Sequence, residues 1–238
     1  MPKGNNNTRM TKAFKSDMAA DTSPLIAMNS RQQEYIDAIH KETVVICTGV
    51  LGSAKTYIPA VLAAQMLQSK KVDRIIVARP TEGKGKSIGF FKGTKEEKLE
   101  GWCVPITDTL KRKLGIGNYK AFIENGKIEL LALEQVKGRS WDDAFILIDE
   151  AEDLDPDVAK SLVTRIGVRS KMVITGDIAQ QDLRAYSGLQ RLLDVSAHAN
   201  MNITHIDFDD WEYCVRGEEA KAWGKAFESH EKKGAGDG

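Results

Sequence analysis

A glycine-rich turn between an apolar strand and a helical segment constrains this chain more than any other feature. The turn is Gly49-Val-Leu-Gly-Ser-Ala-Lys-Thr56; an apolar run at 44–47 precedes it and a helix-like stretch at 57–67 follows it. Backbone N–H groups of such a turn point inward at the N-terminus of the following helix and form an anion-binding nest. The pattern therefore predicts a phosphate-binding loop within an α/β domain.

The loop supplies candidate binding residues for a nucleoside triphosphate. Lys55 would reach the β- and γ-phosphates, and Thr56 would give its hydroxyl to Mg²⁺. Ala54 stands where glycine is usual before the lysine, and we expect it to adopt the helical φ/ψ of a helix start, so that binding survives. The expected nucleotide-binding residues of the loop are Gly49, Val50, Leu51, Gly52, Ser53, Ala54, Lys55 and Thr56.

The composition excludes several classes of protein and of functional site. The 238 residues, 42% of them hydrophobic, suit one sizeable α/β domain, and the formal net charge of zero gives no sign of a strongly basic nucleic-acid binder. The three cysteines are far apart and the four histidines do not cluster, so neither a disulfide framework, a zinc site nor a hydrolase triad is predicted. No apolar run reaches the roughly 18 residues of a membrane span, and the polar N-terminus does not resemble a signal peptide. We expect a cytoplasmic protein without a membrane partner.

The order of apolar runs predicts the domain and its sheet. We expect a disordered basic arm at 1–23, one domain at 24–230 and a disordered tail at 231–238. A helix is predicted at 30–39 with Ser30 as N-cap. Short apolar runs separated by helical patterns predict a mainly parallel sheet with helices on both faces and with its active site at the carboxyl ends of the strands. The predicted strands are 44–47, 74–78, 127–132, 144–148, 171–175 and, more weakly, 202–206.

An acidic pair follows the predicted strand at 144–148. Asp149 would hold Mg²⁺ through water, and Glu150 would polarise the attacking water. For an isolated pair, a solvated acidic start to the next helix would be the better interpretation. The upstream loop favours the functional interpretation.

Two further groups are candidates for catalysis. After the strand at 171–175, Asp177 and Gln180 (more weakly Gln181) would sense the γ-phosphate, although a plain Gly-Asp turn is the alternative. Arg165 is a candidate for stabilising transition-state charge, in its own chain or a neighbour's, although a surface ion pair is the usual role of one arginine. The other arginines in comparable positions are Arg79, Arg139, Arg184 and Arg216.

The segment 83–93 carries glycines, lysines and the pair Phe90-Phe91 after a strand end. The lysines could bind phosphates and the phenylalanine rings could stack on bases, which would indicate a nucleic-acid contact. An equally good interpretation is that the rings are buried in the core and the lysines are solvated. Lys111, Arg112 and Lys113 would extend a basic strip, or belong to a helix of mixed charge.

Taken in order, these stretches resemble the PhoH family. The resemblance runs from about residue 30 to 216. It implies a single RecA-like P-loop NTPase domain, an ATPase with ATP and Mg²⁺ as its cofactors, a homohexameric ring, and coupling to RNA or single-stranded DNA. It also adds Tyr57 and Gln32 to the nucleotide-binding residues, with Gln32 reading the adenine edge. The matching stretches include Gln32-x-x-Tyr35-Ile, Gly49–Tyr57, Ala78-Arg79-Pro80, Ile88-Gly89-Phe90, Ile148-Asp149-Glu150-Ala151, Leu162-Val-Thr-Arg165-Ile-Gly167, Ser170–Asp177 and Val215-Arg216.

The chain departs from the family pattern at Ala54, at Glu152-Asp153 (usually Gln-Asn), at Phe91-Lys92 and at Gly217. Two other functions stay open: a nucleotide-binding protein that assembles a ring with little turnover, and a stand-alone ribonuclease.

Overall fold

A parallel sheet of six strands forms the centre of the protein. The computed structural model describes residues 19–80, 82–83, 86–87, 95–133, 136, 140–178, 186–201 and 203–234. The strands are β1 Val44–Gly49, β2 Arg74–Arg79, β3 Glu82–Gly83, β4 Lys86–Ser87, β5 Ile128–Ala132, β6 Ala144–Ile148, β7 Lys171–Thr175 and β8 Thr204–Phe208. The large sheet has the order β5-β2-β6-β7-β1-β8, and β3 and β4 form a separate antiparallel pair.

Continuous apolar runs make the central strands because both faces of the sheet are covered. All five residues of β6 are buried, as are the four central residues of β1 and of β2. A sheet covered on both sides needs apolar side chains in both directions, so an alternating pattern is absent from these strands. The predicted α/β class, with a mainly parallel sheet and helices on both faces, is confirmed.

Helices cover the two faces in separate groups. Helices α1, α2, α4 and α5 contribute to one apolar cluster, and α6 and α7 to the other. None of the helices in the described part of the chain is long and apolar enough to cross a membrane. The helices are α1 Ser30–Lys41, α2 Tyr57–Gln68, α3 Lys95–Trp102, α4 Val104–Leu114, α5 Ile116–Glu124, α6 Pro156–Val163, α7 Gly188–His198 and α8 Glu218–Gly234.

The strand order brings three loops together at one edge. Strand β7 lies between β1 and β6, and all three run parallel. Their carboxyl ends therefore meet at the same edge, where a parallel sheet places its ligand. The loops that meet there are 49–56, 149–152 and 176–177.

Two local predictions are wrong. Asn29, not Ser30, is the N-cap of α1: its backbone is extended (φ −153°) and its side chain accepts the N–H of Gln32 at 2.9 Å. The last strand lies two residues later than predicted, because β8 pairs with Val45–Gly49. Phe208 at its end is fully buried and packs edge-on against Tyr35, with ring centroids 5.9 Å apart.

The chain ends differ from the predicted boundaries. The predicted arm at 1–23 lies mostly outside the described residues, but Asp21 and Ser23 both contact the Nζ of buried Lys113, at 2.8 Å for the Asp21 carboxylate. Helix α8 continues past the predicted boundary at residue 230, to Gly234. This helix is anchored at its middle by Trp211, which lies over Gly224 and donates its ring N–H to Glu228 at 2.5 Å.

Candidate active site

The loop after β1 is held in a shape that requires glycine at its start. Gly49 has φ +118°, and a Cβ atom there would lie 2.2 Å from the carbonyl oxygen of Phe208. The same carbonyl accepts the N–H of Val50 at 2.9 Å, which fixes the loop against β8. Ser53 is buried and its hydroxyl donates to the carbonyl of Val50 at 2.9 Å. The shape of the loop is therefore fixed by hydrogen bonds within the protein and by its close packing against Phe208.

Ala54 does not adopt the helical conformation that the sequence predicts. Its φ is +71°, in the left-handed region. A non-glycine residue there carries strain of about 1 to 3 kcal/mol. The explanation that Ala54 is tolerated because it begins the helix is wrong, since the helix starts later, at Tyr57. The carbonyl of Ala54 nevertheless accepts the N–H of Ile58 at 3.1 Å, so the loop leads directly into α2.

Lys55 folds back onto its own loop. Its ammonium group donates to the carbonyl oxygens of Gly49 and Val50, the second at 2.9 Å. Both acceptors are neutral, so phosphate oxygens would be stronger partners for the same charge. Lys55 thus lies against its own loop, with two neutral acceptors that phosphate oxygens could replace.

Thr56 and Asp149 lie in direct contact. Thr56 is the N-cap of α2 but makes no capping hydrogen bond; its hydroxyl donates to Oδ1 of Asp149 at 2.8 Å. Thr175, the last residue of β7, donates to the same oxygen at 2.6 Å. A hydroxyl beside a carboxylate, both at the phosphate loop, is an oxygen donor set that suits Mg²⁺. The residues present therefore fit this ion.

Glu150 and Arg79 form an ion pair across neighbouring strand ends. One carboxylate oxygen of Glu150 contacts the guanidinium of Arg79, and Glu150 has a left-handed backbone (φ +54°). Arg79 is in turn held by the carbonyl of Trp102 at 2.7 Å and lies 5.5 Å from the centroid of that ring. Glu150 therefore combines a strained backbone with an ion pair to an arginine that is itself held in place, and such a combination at the end of a strand is typical of a functional position.

A second carboxylate, Glu152, joins the site. It is 8% exposed, and its Oε2 accepts the N–H of Asp177 at 3.0 Å. Burial raises the pKa of Glu152 to about 7, with smaller upward contributions from Asp149 and Asp153, while hydrogen bonds from backbone N–H groups act in the opposite direction. The sequence marked Glu152 only as a departure from the family pattern.

A cavity of about 340 Å³ is lined by the loop residues 51–57 and by four carboxylates of the neighbouring loops. Its carboxylates outnumber its cations, so an anionic ligand would enter together with a cation. Arg216 lies against the loop, because a Cβ atom on Gly52 would come within 2.8 Å of its Cγ. The lining residues are Leu51, Gly52, Ser53, Ala54, Lys55, Thr56, Tyr57, Pro105, Thr109, Asp149, Glu150, Glu152, Gly176, Asp177 and Arg216.

An apolar pocket of about 360 Å³ lies beside this cavity and includes Gln32. Gln32 is 2% exposed; its amide oxygen accepts the N–H of Met28 at 2.9 Å and its amide nitrogen donates to the carbonyl of Ser53 at 3.1 Å. These two bonds use one acceptor site and one donor site of the amide. Leu25, Ile26 and Tyr57 also line the pocket, which would suit a planar ring.

The structure does not bring every predicted site residue together. Arg165 follows α6, and its carbonyl accepts the N–H of Trp141, which precedes β6. Arg165 therefore lies at the amino edge of the sheet, opposite the cavity. Gln180, with Gln181, Arg139 and Arg184, lies outside the described residues. So do Phe90 and Phe91.

Lys113 is not part of a basic strip. Its side chain is 4% exposed and bound to Asp21, while Lys111 pairs with Glu100 at 2.7 Å. Both lysines pair with acidic residues outside α4, which favours the interpretation of this stretch as a helix of mixed charge.

Besides Glu152, three residues of the site were missed or undervalued in the sequence. Thr175 was predicted as the end of a strand, and the strand order places its hydroxyl on Asp149. Arg79 and Arg216 were two among five arginines. The signal that distinguishes Arg79 is its position at the end of β2, next to β6.

Comparison with known proteins identifies the family of the chain. The family model for PhoH-like proteins matches residues 24–228. A PhoH-like protein of Synechocystis sp. is 40% identical over 166 residues, 69% of this chain and 51% of that protein. Protein PhoH of Escherichia coli is 37% identical over 165 residues, 68% of this chain and 47% of that protein. The chain thus spans about half the length of the curated relatives it matches.

Solved structures with a related arrangement are more distant. The large terminase from a thermophilic bacteriophage has a TM-score of 0.47 and 10% identity, covering 82% of this chain and 48% of that chain. The Pif1 helicase from Candida albicans has a TM-score of 0.39 and 15% identity, covering 79% and 42%. The family model and the sequence relatives carry the assignment: the chain belongs to the PhoH family.

Proposed function

We propose that this protein binds ATP and hydrolyses it in a Mg²⁺-dependent reaction. The observation that carries the proposal is the joint contact of Thr56 and Thr175 with Asp149 beside the preformed phosphate loop. A loop alone would bind many anions, whereas this triad adds an oxygen site for the cation that accompanies a nucleoside triphosphate.

The residues have separate roles in this reaction. Lys55 leaves the carbonyls of Gly49 and Val50 and binds the β- and γ-phosphates. Thr56 and Asp149 would hold Mg²⁺, which when bound neutralises phosphate charge. Glu150 orients and polarises the attacking water. Arg79 holds Glu150 at the strand end.

The test is phosphate release from ATP with Mg²⁺, measured for the wild type, Lys55→Ala and Lys71→Ala. Lys71 is exposed and lies just beyond the far end of α2, so it serves as the control. We expect Lys55→Ala to lose ATP binding and turnover, and Lys71→Ala to keep both. Equal turnover in all three proteins would contradict the proposal.

A ring-assembly protein with little turnover is the second candidate. The ion pair between Arg79 and Glu150 favours it, because a carboxylate bound to a guanidinium is a weaker base for water. Tight ATP binding with negligible phosphate release by the wild type would select this candidate.

A homohexameric ring is part of the proposal. Ile26, Met28 and Leu51 are 73%, 70% and 46% exposed around the nucleotide pockets, so a second copy at this edge would cover apolar surface. Arg165, at the opposite edge, is the proposed arginine that reaches the neighbour's nucleotide. Light scattering with and without ATP tests this; a monomer under both conditions would contradict it.

Coupling to RNA or single-stranded DNA rests on the family resemblance and on the segment 83–93. Addition of single-stranded RNA, single-stranded DNA or duplex DNA during the hydrolysis assay tests it. We expect at least one single strand to raise the turnover of ATP. No change with any of the three would contradict the coupling.

A further inference from the structure

Glu152 links the loop after β6 to the loop after β7. It lies in the 3₁₀ turn Ala151–Asp153 after β6, while the N–H that it binds belongs to Asp177 after β7. Both residues line the same cavity, together with Glu150. This side chain therefore joins the loop that carries Glu150 to the loop that carries Asp177.

The fit of this side chain is tight on the β7 side. A Cβ atom on Gly176 would lie 2.6 Å from Oε2 of Glu152 and 2.7 Å from Cδ2 of Leu189. The carboxylate fills the space that any side chain at position 176 would need. A shift of Glu152 would therefore displace the backbone of the Gly176–Asp177 loop.

The role requires a hydrogen-bond acceptor and does not require a charge. Burial raises the pKa of the carboxyl group to about 7, so both of its protonation states are accessible near neutral pH. A carboxyl oxygen accepts an N–H in either protonation state, and so does the amide oxygen of glutamine, at the same distance from the backbone. Methionine has a similar length and volume but offers only a weak sulfur acceptor.

We propose that Glu152 is a positioning residue for hydrolysis, which holds the Asp177 loop at the correct distance from Glu150 through the Asp177 N–H. This inference rests on the proposed ATPase function. Displacements of about 1 Å at a reacting centre reduce rates by factors on the order of 100. Loss of the hydrogen bond should therefore affect the chemical step more than the binding of ATP.

The test compares two neutral variants, Glu152→Gln and Glu152→Met. Glu152→Gln should keep kcat within about 3-fold of the wild type, and Glu152→Met should lower it at least about 10-fold. The dissociation constant for a fluorescent ATP analogue with Mg²⁺ should change less than about 3-fold in both, because neither variant alters the phosphate loop. Circular dichroism confirms folding, and Glu152→Ala replaces Glu152→Met if the latter does not fold.

Exchange of the Asp177 amide proton, followed by NMR, gives a readout that does not depend on turnover. We expect protection of this proton in the wild type and in Glu152→Gln, and faster exchange in Glu152→Met. If the wild type binds ATP without hydrolysing it, the ATPase proposal fails while the amide exchange still tests the link.

Two results would overturn the inference. Equal kcat and equal exchange in Glu152→Met and the wild type would show that the contact positions nothing. A loss of kcat in Glu152→Gln as large as that in Glu152→Met would show that the carboxylate itself, and not its acceptor oxygen, is required.

Discussion

Replacing Glu152 by glutamine should make the free energy of unfolding less sensitive to rising pH. Burial raises the pKa of this carboxyl group from its ordinary value of 4.5 to about 7. The folded state therefore binds the proton more tightly than the unfolded state, and stability falls as the pH rises between these two values. A tenfold difference in proton affinity corresponds to about 1.4 kcal/mol, so ionising Glu152 costs the folded state about 3 kcal/mol at pH 8.

The assay is urea denaturation of the wild type and Glu152→Gln at pH 5 and pH 8, in EDTA so that no divalent cation adds charge. Other carboxylates titrate in both proteins, so their effect cancels in the difference. We expect the free energy of unfolding of the wild type, relative to that of the variant, to fall by about 2 to 3 kcal/mol between the two pH values. A difference that is the same at both pH values would refute the argument that burial controls this group.

Three further substitutions test the loop and the triad. Gly49→Ala should lower the free energy of unfolding by more than about 3 kcal/mol, because its Cβ would strike the Phe208 carbonyl at 2.2 Å and its φ is +118°; urea midpoints close to that of the wild type would contradict this. Ala54→Gly should raise stability by about 1 kcal/mol by relieving the left-handed backbone at φ +71°, and a lower urea midpoint would count against the strain. Thr175→Val should keep the fold but lower kcat about 10-fold, because Asp149 loses the hydroxyl that donates at 2.6 Å; unchanged Mg²⁺ dependence and unchanged turnover would show that this hydroxyl is dispensable.

The sheet could be predicted from the sequence because its central strands are buried on both faces. Runs such as 144–148 and 171–175 are apolar throughout most of their length, so their positions needed no tertiary information, and β6 and β7 start and end at these residues. In the edge strand β8 only Ile206 and Phe208 are buried, and its predicted position was displaced by two residues. Its bounds depend on pairing with β1, which is not a local property.

The site was predictable where each residue follows a strand and not where it depends on a contact between loops. Lys55, Thr56, Asp149 and Glu150 could be named from spacing alone. The bond from Asp177 to Glu152, by contrast, depends on the sheet order, which places β7 beside β6. The conformation of Ala54 was predicted wrongly because the backbone is left-handed one residue before the lysine. The pattern of apolar residues carries no information about a single left-handed residue.

Glu150 is the residue that we propose to polarise the attacking water at a site that binds ATP and Mg²⁺. Steady-state ATP hydrolysis by the wild type and Glu150→Gln tests this role, with ATP affinity measured on the same samples. Glu150→Gln should keep its affinity for ATP and lose turnover by at least about 100-fold. Turnover of Glu150→Gln equal to that of the wild type would contradict it.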